Sequence, residues 1–389
     1  MKINIIINGR FHFFDLAREL ILKNHFVLLY TTLPKWYVMN WIGKKNAHIK
    51  TFVFIEILKR TLMKIGCYTI FWEKVQKKMF SLWTAEAIDD EADATIFFAG
   101  NGWHSKMLKN INRRNNLIIA DEGSAHPITV NGLISDEVNK FRVSKDVEQR
   151  KPLDKETHAQ YLDADIVVVP SSFVKRSLIS QGINQDKIYV NPYGVDVNLF
   201  TPGLKESKIN RPIRVMSCGL FSVQKGSHYF LKAAEHFSDH NNIEFIHVGG
   251  VSKELERTLN AYRRPNFIHH RPVPQNQLPN YYRNADIFVL SSLQDGFGMV
   301  VLQAMACGLA LICSTNSCGE DVVEHGVNGF VYDPIKLHDL IDHIEELAEN
   351  PDTLARFKVA ARERAVAEYS WEAYGDRYLK IVENAKGLR

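Results

Sequence analysis

Short β-branched runs alternate with helix-like segments along the whole chain, and that alternation confines it to parallel sheets covered by helices. In the first half the expected strands are Ile3 to Ile7, Phe26 to Tyr30, Thr95 to Phe98, Leu117 to Ala120, Ile166 to Val169 and Ile188 to Val190. In the second half they are Ile213 to Ser217, Glu244 to Val248, Asn266 to His269, Ile287 to Leu290 and Leu309 to Cys313. A chain of 389 residues has room for two or three domains, at about 150 residues each, so two doubly wound units are expected. Between the two series, Asn191 to Pro212 (NPYGVDVNLFTPGLKESKINRP) is rich in Pro, Gly and charge and lacks either periodicity. It is the natural linker, with a boundary near residue 200. Ser370 can cap a final helix whose apolar residues Trp371, Tyr374, Tyr378, Ile381, Val382 and Ala385 share one face and need a packing partner.

Composition closes off several classes. With 46% apolar and 24% charged residues, long disorder and collagen-like structure are excluded. The formal charge of +4 is too small to argue for nucleic acid. Cys67, Cys218, Cys307, Cys313 and Cys318 lack paired-ligand spacing and mostly sit in apolar runs, which points to buried thiols in a reducing compartment rather than to zinc. Met1 to Arg10 (MKINIIINGR) reads as a strand, not a signal peptide. No stretch approaches the ~20 apolar residues that cross a bilayer.

One segment departs from the average. Lys35 to Trp83 holds ten Lys and Arg against Glu56 and Glu73, a net +8 that leaves −4 for the rest, and four of the six tryptophans. Leu58, Leu62 and Ile65 are expected on one face, with Lys59, Arg60 and Lys64 on another; Trp72, Val75, Met79 and Trp83 repeat the arrangement against Lys74, Lys77 and Lys78. Such cationic, aromatic-rimmed helices suit an anionic membrane surface. Packing of the apolar side on the first sheet, with lysines merely solvated, is the plainer alternative, and nucleic-acid binding the least favoured one.

Two glycine-bearing turns directly follow expected strands. In Ile287 to Ser314, the residues Asp295, Gly296, Phe297 and Gly298 stand where a helix begins, so its free N–H groups can face an anion. Gln303 lies inside that helix beside Met299 and Val300, as an exposed polar residue or as a ligand contact. In Ser217 to Ser227 (SCGLFSVQKGS), Lys225 precedes a helix as a phosphate-clamping lysine does, although a solvated surface lysine reads the same way. The order Lys-Gly excludes a Walker A loop, and no GxGxxG follows the first strand, which disfavours a nicotinamide dehydrogenase.

Taken together, DGFGMVVLQAMACG resembles the E-x7-E segment of the family 4 retaining glycosyltransferases, in a variant form found among transferases of bacterial surface polysaccharides. GLFSVQKG occupies the place of their G-R-x5-K-G turn, and ADIVVVPSSFVKRSL, KIYVNPYGVDVNLFTP, NGFVYDP and YSWEAYGDRYL resemble further segments in the same order. The resemblance implies a GT-B fold: an acceptor-binding Rossmann-like domain over 1–200, a nucleotide-sugar-binding one over 201–370, a cleft between them, and a helix over 371–389 crossing back onto the first. It implies roles as well. Asp295 would contact sugar hydroxyls, the Gly296, Phe297, Gly298, Met299 and Val300 backbone the sugar and diphosphate, and Gln303 the ribose. Lys225 would neutralise the departing diphosphate, His126 in DEGSAHP would sit by donor sugar and acceptor, and Gly9 would lie near the diphosphate.

Three departures from the family pattern stand out. Asp295 replaces the first glutamate, Gln303 the second, and Leu220 the arginine, which removes one of two diphosphate cations; Arg10 is a candidate substitute. The expected activity is transfer of a hexose from a nucleotide diphosphate sugar to a glycan or lipid-linked acceptor, without cofactor or metal, at the cytoplasmic face of the membrane. A silent binder of sugar nucleotide or glycan on the same fold is the alternative.

Overall fold

The computed structural model describes residues 1–43, 47–99, 105–111, 113–141, 155–203, 211–240, 242–262 and 264–387. Seven parallel strands form the first sheet: β1 (Lys2–Ile7), β2 (Phe26–Thr31), β3 (His48–Thr51), β4 (Ala94–Phe98), β5 (Leu117–Asp121), β6 (Ile166–Val169) and β7 (Ile188–Val190). Their order is β3-β2-β1-β4-β5-β6-β7. Six more form the second: β8 (Ile213–Cys218), β9 (Ile243–Val248), β10 (Phe267–His270), β11 (Ile287–Leu290), β12 (Ala310–Ser314) and β13 (Gly329–Tyr332), ordered β10-β9-β8-β11-β12-β13. The two series are those the alternation predicts, because strands buried on both faces must read as β-branched runs. β3 and β13 are the exceptions. Each is a four-residue edge strand: β3 (HIKT) alternates exposed and half-buried residues and has no apolar run, whereas β13 (GFVY) is largely buried but short and opens on glycine.

Strand order reverses beside β1 in one sheet and beside β8 in the other, so a crevice opens at the carboxyl ends of both. Phe11 after β1, Gly123 after β5, Gly219 and Lys225 after β8 and Asp295 after β11 line one cavity, so the two crevices face each other.

The linker is not loose. Tyr193, Val195 and Phe200 are buried, and the Val195 N–H donates to the Tyr369 carbonyl at 2.8 Å. The Arg362 guanidinium donates to the carbonyls of Val197, Phe200 and Ala306 at 3.2, 2.9 and 2.8 Å. These partners are distant in sequence, which is why local composition reads the segment as free chain; 204–210 lie outside the described residues.

Ser370 Oγ accepts from the Ala373 N–H at 3.1 Å, capping the final helix, Trp371–Gly387. Its buried face, Tyr374, Tyr378, Val382 and Ala385, lies on the first domain. There Tyr378 donates to Asp121 at 3.1 Å, and Asp376 and Lys386 pair with Lys23 and Asp93 at 2.7 and 2.8 Å. Gly375 permits the close crossing, since a Cβ there would come within 2.7 Å of the Glu19 Cβ.

The basic segment forms the helices Lys35–Ile42, Val53–Lys64 and Ile70–Ala87, with Lys44 and Lys45 outside the described residues. The expected faces are corrected. Leu62 is buried while Ile65 is 62% exposed, so they do not share a face. Met79 and Trp83 pack on the core of the first domain rather than standing outward. The apolar residues of the segment serve two arcs, and spacing alone assigns them to one. Of the thiols, Cys307, Cys313 and Cys318 are buried, whereas Cys67 is exposed and Cys218 half-buried.

Candidate functional site

The site is built where two glycine turns meet. After β11 the chain turns through Asp295 to Gly298 into the helix Met299–Ala306, whose first turn no side chain caps, leaving N–H groups available to an anion. Gly298 has φ +84° and a Cβ there would come within 2.9 Å of Leu290 and 3.3 Å of Asp295, so both conformation and space call for glycine. After β8 the chain turns through Gly219 to Gly226 into the helix Ser227–His236. Gly226, at φ +60°, lies so close to the Ser291 carbonyl that a Cβ would stand 1.8 Å away, which fastens the second turn against the first.

This packing brings Lys225 onto Asp295, seventy positions along the chain, in a short ion-paired hydrogen bond between Nζ and Oδ2. Both line a cavity of about 200 Å3, together with Gly298, Met299, Val300 and Phe297. A cation, a carboxylate and an uncapped helix start therefore share one wall.

Gln303 is 5% exposed and lines a larger adjoining cavity of about 740 Å3 with Met299, Arg10 and Trp41. The fully buried Tyr282 hydroxyl donates to Gln303 Oε1 at 3.1 Å. With its carbonyl oxygen so occupied, the amide has its N–H2 group left for a ligand, the reverse of what a carboxylate offers.

The opposite wall comes from the first domain. Gly9, two residues beyond β1, has φ +97°, and Phe11 follows at φ +46°, a conformation that costs a bulky residue about 1 to 3 kcal/mol. Phe11 lines both cavities and meets Tyr193 edge-on at 5.9 Å. Tyr193 in turn stacks on His12 at 4.4 Å and meets Phe297 of the second domain at 5.0 Å. Beneath them His12 Nε2 lies 3.0 Å from Asp121, which accepts from Tyr378. Arg10 stacks on Trp41 at 3.3 Å on the larger cavity. Leu220 is half exposed and lines neither cavity.

His126 is buried at 2% exposure. Its Nδ1 accepts from the Ile128 N–H at 3.3 Å, so the neutral ring carries its proton on Nε2, which has no partner among the described residues. Burial, then the neighbouring His158, holds the ring below the usual histidine range. His126 lines neither cavity, and nor does Gly9. Their loops do reach the cleft: a Cβ on Gly296 would stand 2.0 Å from the Gly123 carbonyl, and Gln294 donates to Ser124 at 3.4 Å.

Of the residues expected from sequence, Lys225, Asp295, Phe297, Gly298, Met299 and Val300 converge on one cavity, Gly296 supports it, and Gln303 faces the next. Phe11, Gly123 and Tyr193 were not anticipated as cavity walls. The run Gly9-Arg10-Phe11-His12 after a strand is the only local signal for the first of these. Among the described residues no group of three His, Cys, Asp or Glu side chains is arranged for a metal ion.

Residues 204–364 match the family described as glycosyl transferases group 1, so the second domain carries that family's sequence pattern. A D-inositol 3-phosphate glycosyltransferase of Xylanimonas cellulosilytica is 27% identical over 232 residues, 54% of each chain. The chain thus spans about half the length of that curated relative. Solved structures match throughout. Anabaena HepE in complex with UDP and glucose superposes with a TM-score of 0.65 at 15% identity, covering 98% of this chain and 99% of that one. The lipopolysaccharide outer core galactosyltransferase WaaB does so with a TM-score of 0.65 at 15% identity and 99% coverage of both. The fold is GT-B, two parallel-sheet domains across a cleft.

Proposed function

We propose that this protein is a retaining glycosyltransferase that moves a hexose from a nucleotide diphosphate sugar to a glycan or lipid-linked acceptor. The observation that carries this reading is the Lys225–Asp295 pair beside an uncapped helix start, facing a second domain across a cleft. Diphosphate chemistry needs fixed positive potential where the leaving group gathers charge, and preorganised donors supply it without reorganisation. Lys225 and the N–H groups of the first turn after Gly298 provide it. The sequence pattern of the second domain and the GT-B fold support the same donor class, and the UDP and glucose held by the HepE neighbour favour a uridine nucleotide.

Asp295 accepts from the sugar hydroxyls, Gln303 donates to the ribose, and Arg10 stands in for the arginine absent at Leu220. The bond from the anomeric carbon to the diphosphate oxygen breaks, the acceptor oxygen bonds to that carbon on the same face, and the acceptor proton passes to the departing diphosphate. No metal takes part, so turnover is unchanged by a chelator.

Donor hydrolysis without acceptor, measured across UDP, GDP and ADP sugars after a thermal-shift screen, tests this. Slow release of sugar from one donor is expected, and Lys225→Ala lowers turnover by about 10² to 10³. A protein that binds the donor and releases nothing favours a silent binder on the same fold, and a loss below about threefold in the variant counts against the role given to Lys225.

A further inference from the structure

Apart from Asn40 and Trp41, the described residues of the basic segment line neither cavity of the donor site. Of seventeen exposed large hydrophobic side chains among the described residues, five, Phe54, Ile57, Met63, Ile65 and Phe71, fall within eighteen consecutive positions. The helix Val53–Lys64 turns Ile55 and Leu62 inward. On its other arc Phe54, Ile57, Thr61 and Ile65 recur at three- and four-residue steps, with the three apolar ones 57%, 58% and 62% exposed. The following helix, Ile70–Ala87, packs beside it and shows Phe71, Lys74 and Lys78 outward at the same steps.

Exposed cations rim this face. Arg60 pairs with Glu56 at 2.7 Å and Lys77 with Glu73 at 3.0 Å. Lys64, Lys74 and Lys78 have no ion pair among the described residues. A contiguous exposed apolar patch marks an interaction surface. Its partner must be apolar and anionic in layers, because the apolar residues project from helices whose flanks are cationic, in a segment of net charge +8.

We propose that this outward arc docks on an anionic lipid bilayer, with Phe54, Ile57, Ile65 and Phe71 entering the interface and Lys64, Lys74 and Lys78 meeting the headgroups. Leu62, Met79 and Trp83 lie off this face, Leu62 buried and Met79 and Trp83 packed on the core of the first domain.

Sedimentation of the full chain with phosphatidylglycerol vesicles and with phosphatidylcholine vesicles tests it. Binding to the anionic vesicles alone is expected, weakening with salt. The triple variant Phe54→Ser, Ile57→Ser, Phe71→Ser binds about tenfold or more weakly, and Lys64→Gln, Lys74→Gln, Lys78→Gln about a hundredfold more weakly at low salt. All six side chains are exposed, so melting temperatures stay near the parent value, which confirms that lost binding is not lost folding. The proposal is overturned if the parent protein ignores phosphatidylglycerol, if either triple variant binds like the parent, or if sedimentation equilibrium shows a dimer that the apolar variant dissolves. Donor hydrolysis in the absence of vesicles stays unaltered in both variants, so failure here leaves the donor reading standing.

Discussion

Asp295 and Lys225 neutralise each other in the absence of ligand, and that pairing sets what each does when a donor arrives. Under the proposed activity, a diphosphate would compete with the carboxylate for the ammonium, and its success would free Asp295 for the sugar. Asp295→Asn removes the competitor. UDP is then expected to bind about fivefold more tightly, on the scale of one partly exposed ion pair, while turnover falls about a hundredfold through loss of a transition-state contact. Calorimetry of UDP binding beside steady-state kinetics checks this, and weaker UDP binding by the variant refutes it. The residue types of this site are legible in DGFGMV and SVQKG. Their mutual contact is not, because it follows from a Gly226-to-Ser291 approach that nothing in either segment announces.

At the level of elements, the central strands and the edge strands β7 and β10 were legible, while the edge strands β3 and β13 were hidden. The second sheet adds a polar row that runs of apolar residues conceal: Ser217 on β8, His247 on β9 and His269 on β10 stand in register. Ser217 Oγ lies 2.8 Å from His247 Nδ1, and His269 donates to the Gly249 carbonyl at 2.9 Å. Burial first, then His269, pushes His247 down to about 3. The unfolded chain takes up a proton near the ordinary histidine pKa of about 6.5 and the folded one does not until far lower. Its contribution is therefore fully present above pH 6.5 and is lost as pH falls towards 3, at about 1.4 kcal/mol per unit. Urea unfolding of the parent and of His247→Gln across this window is expected to show the shallower pH slope in the variant; equal slopes contradict it.

Over the whole molecule, contacts far apart in sequence decide how the two domains meet. Ser171 donates to the Gly296 carbonyl at 2.6 Å, and the Ser172 N–H and hydroxyl donate to Asp321 at 2.9 and 2.6 Å. Burial raises the Asp321 pKa and the Ser172 hydrogen bonds oppose it, so the carboxylate depends on this partner. Asp321→Ala leaves two donors unpaired at the interface, at about 1 to 3 kcal/mol. Small-angle scattering is expected to show a more open molecule and the donor KM to rise about tenfold, with kcat much less affected. An unchanged scattering profile and KM refute the assignment.

By itself the sequence determined the two parallel sheets, the glycine turns after β8 and β11 and the capped terminal helix, because each rests on local periodicity or on a backbone shape that few residues adopt. Only the tertiary structure decided which side of the basic helices is covered, that Tyr282 turns the Gln303 amide, that Phe11 and Tyr193 wall the cleft, and that the linker is strapped down. Those outcomes depend on which distant surface removes each side chain from water, and no window of neighbouring residues contains that information.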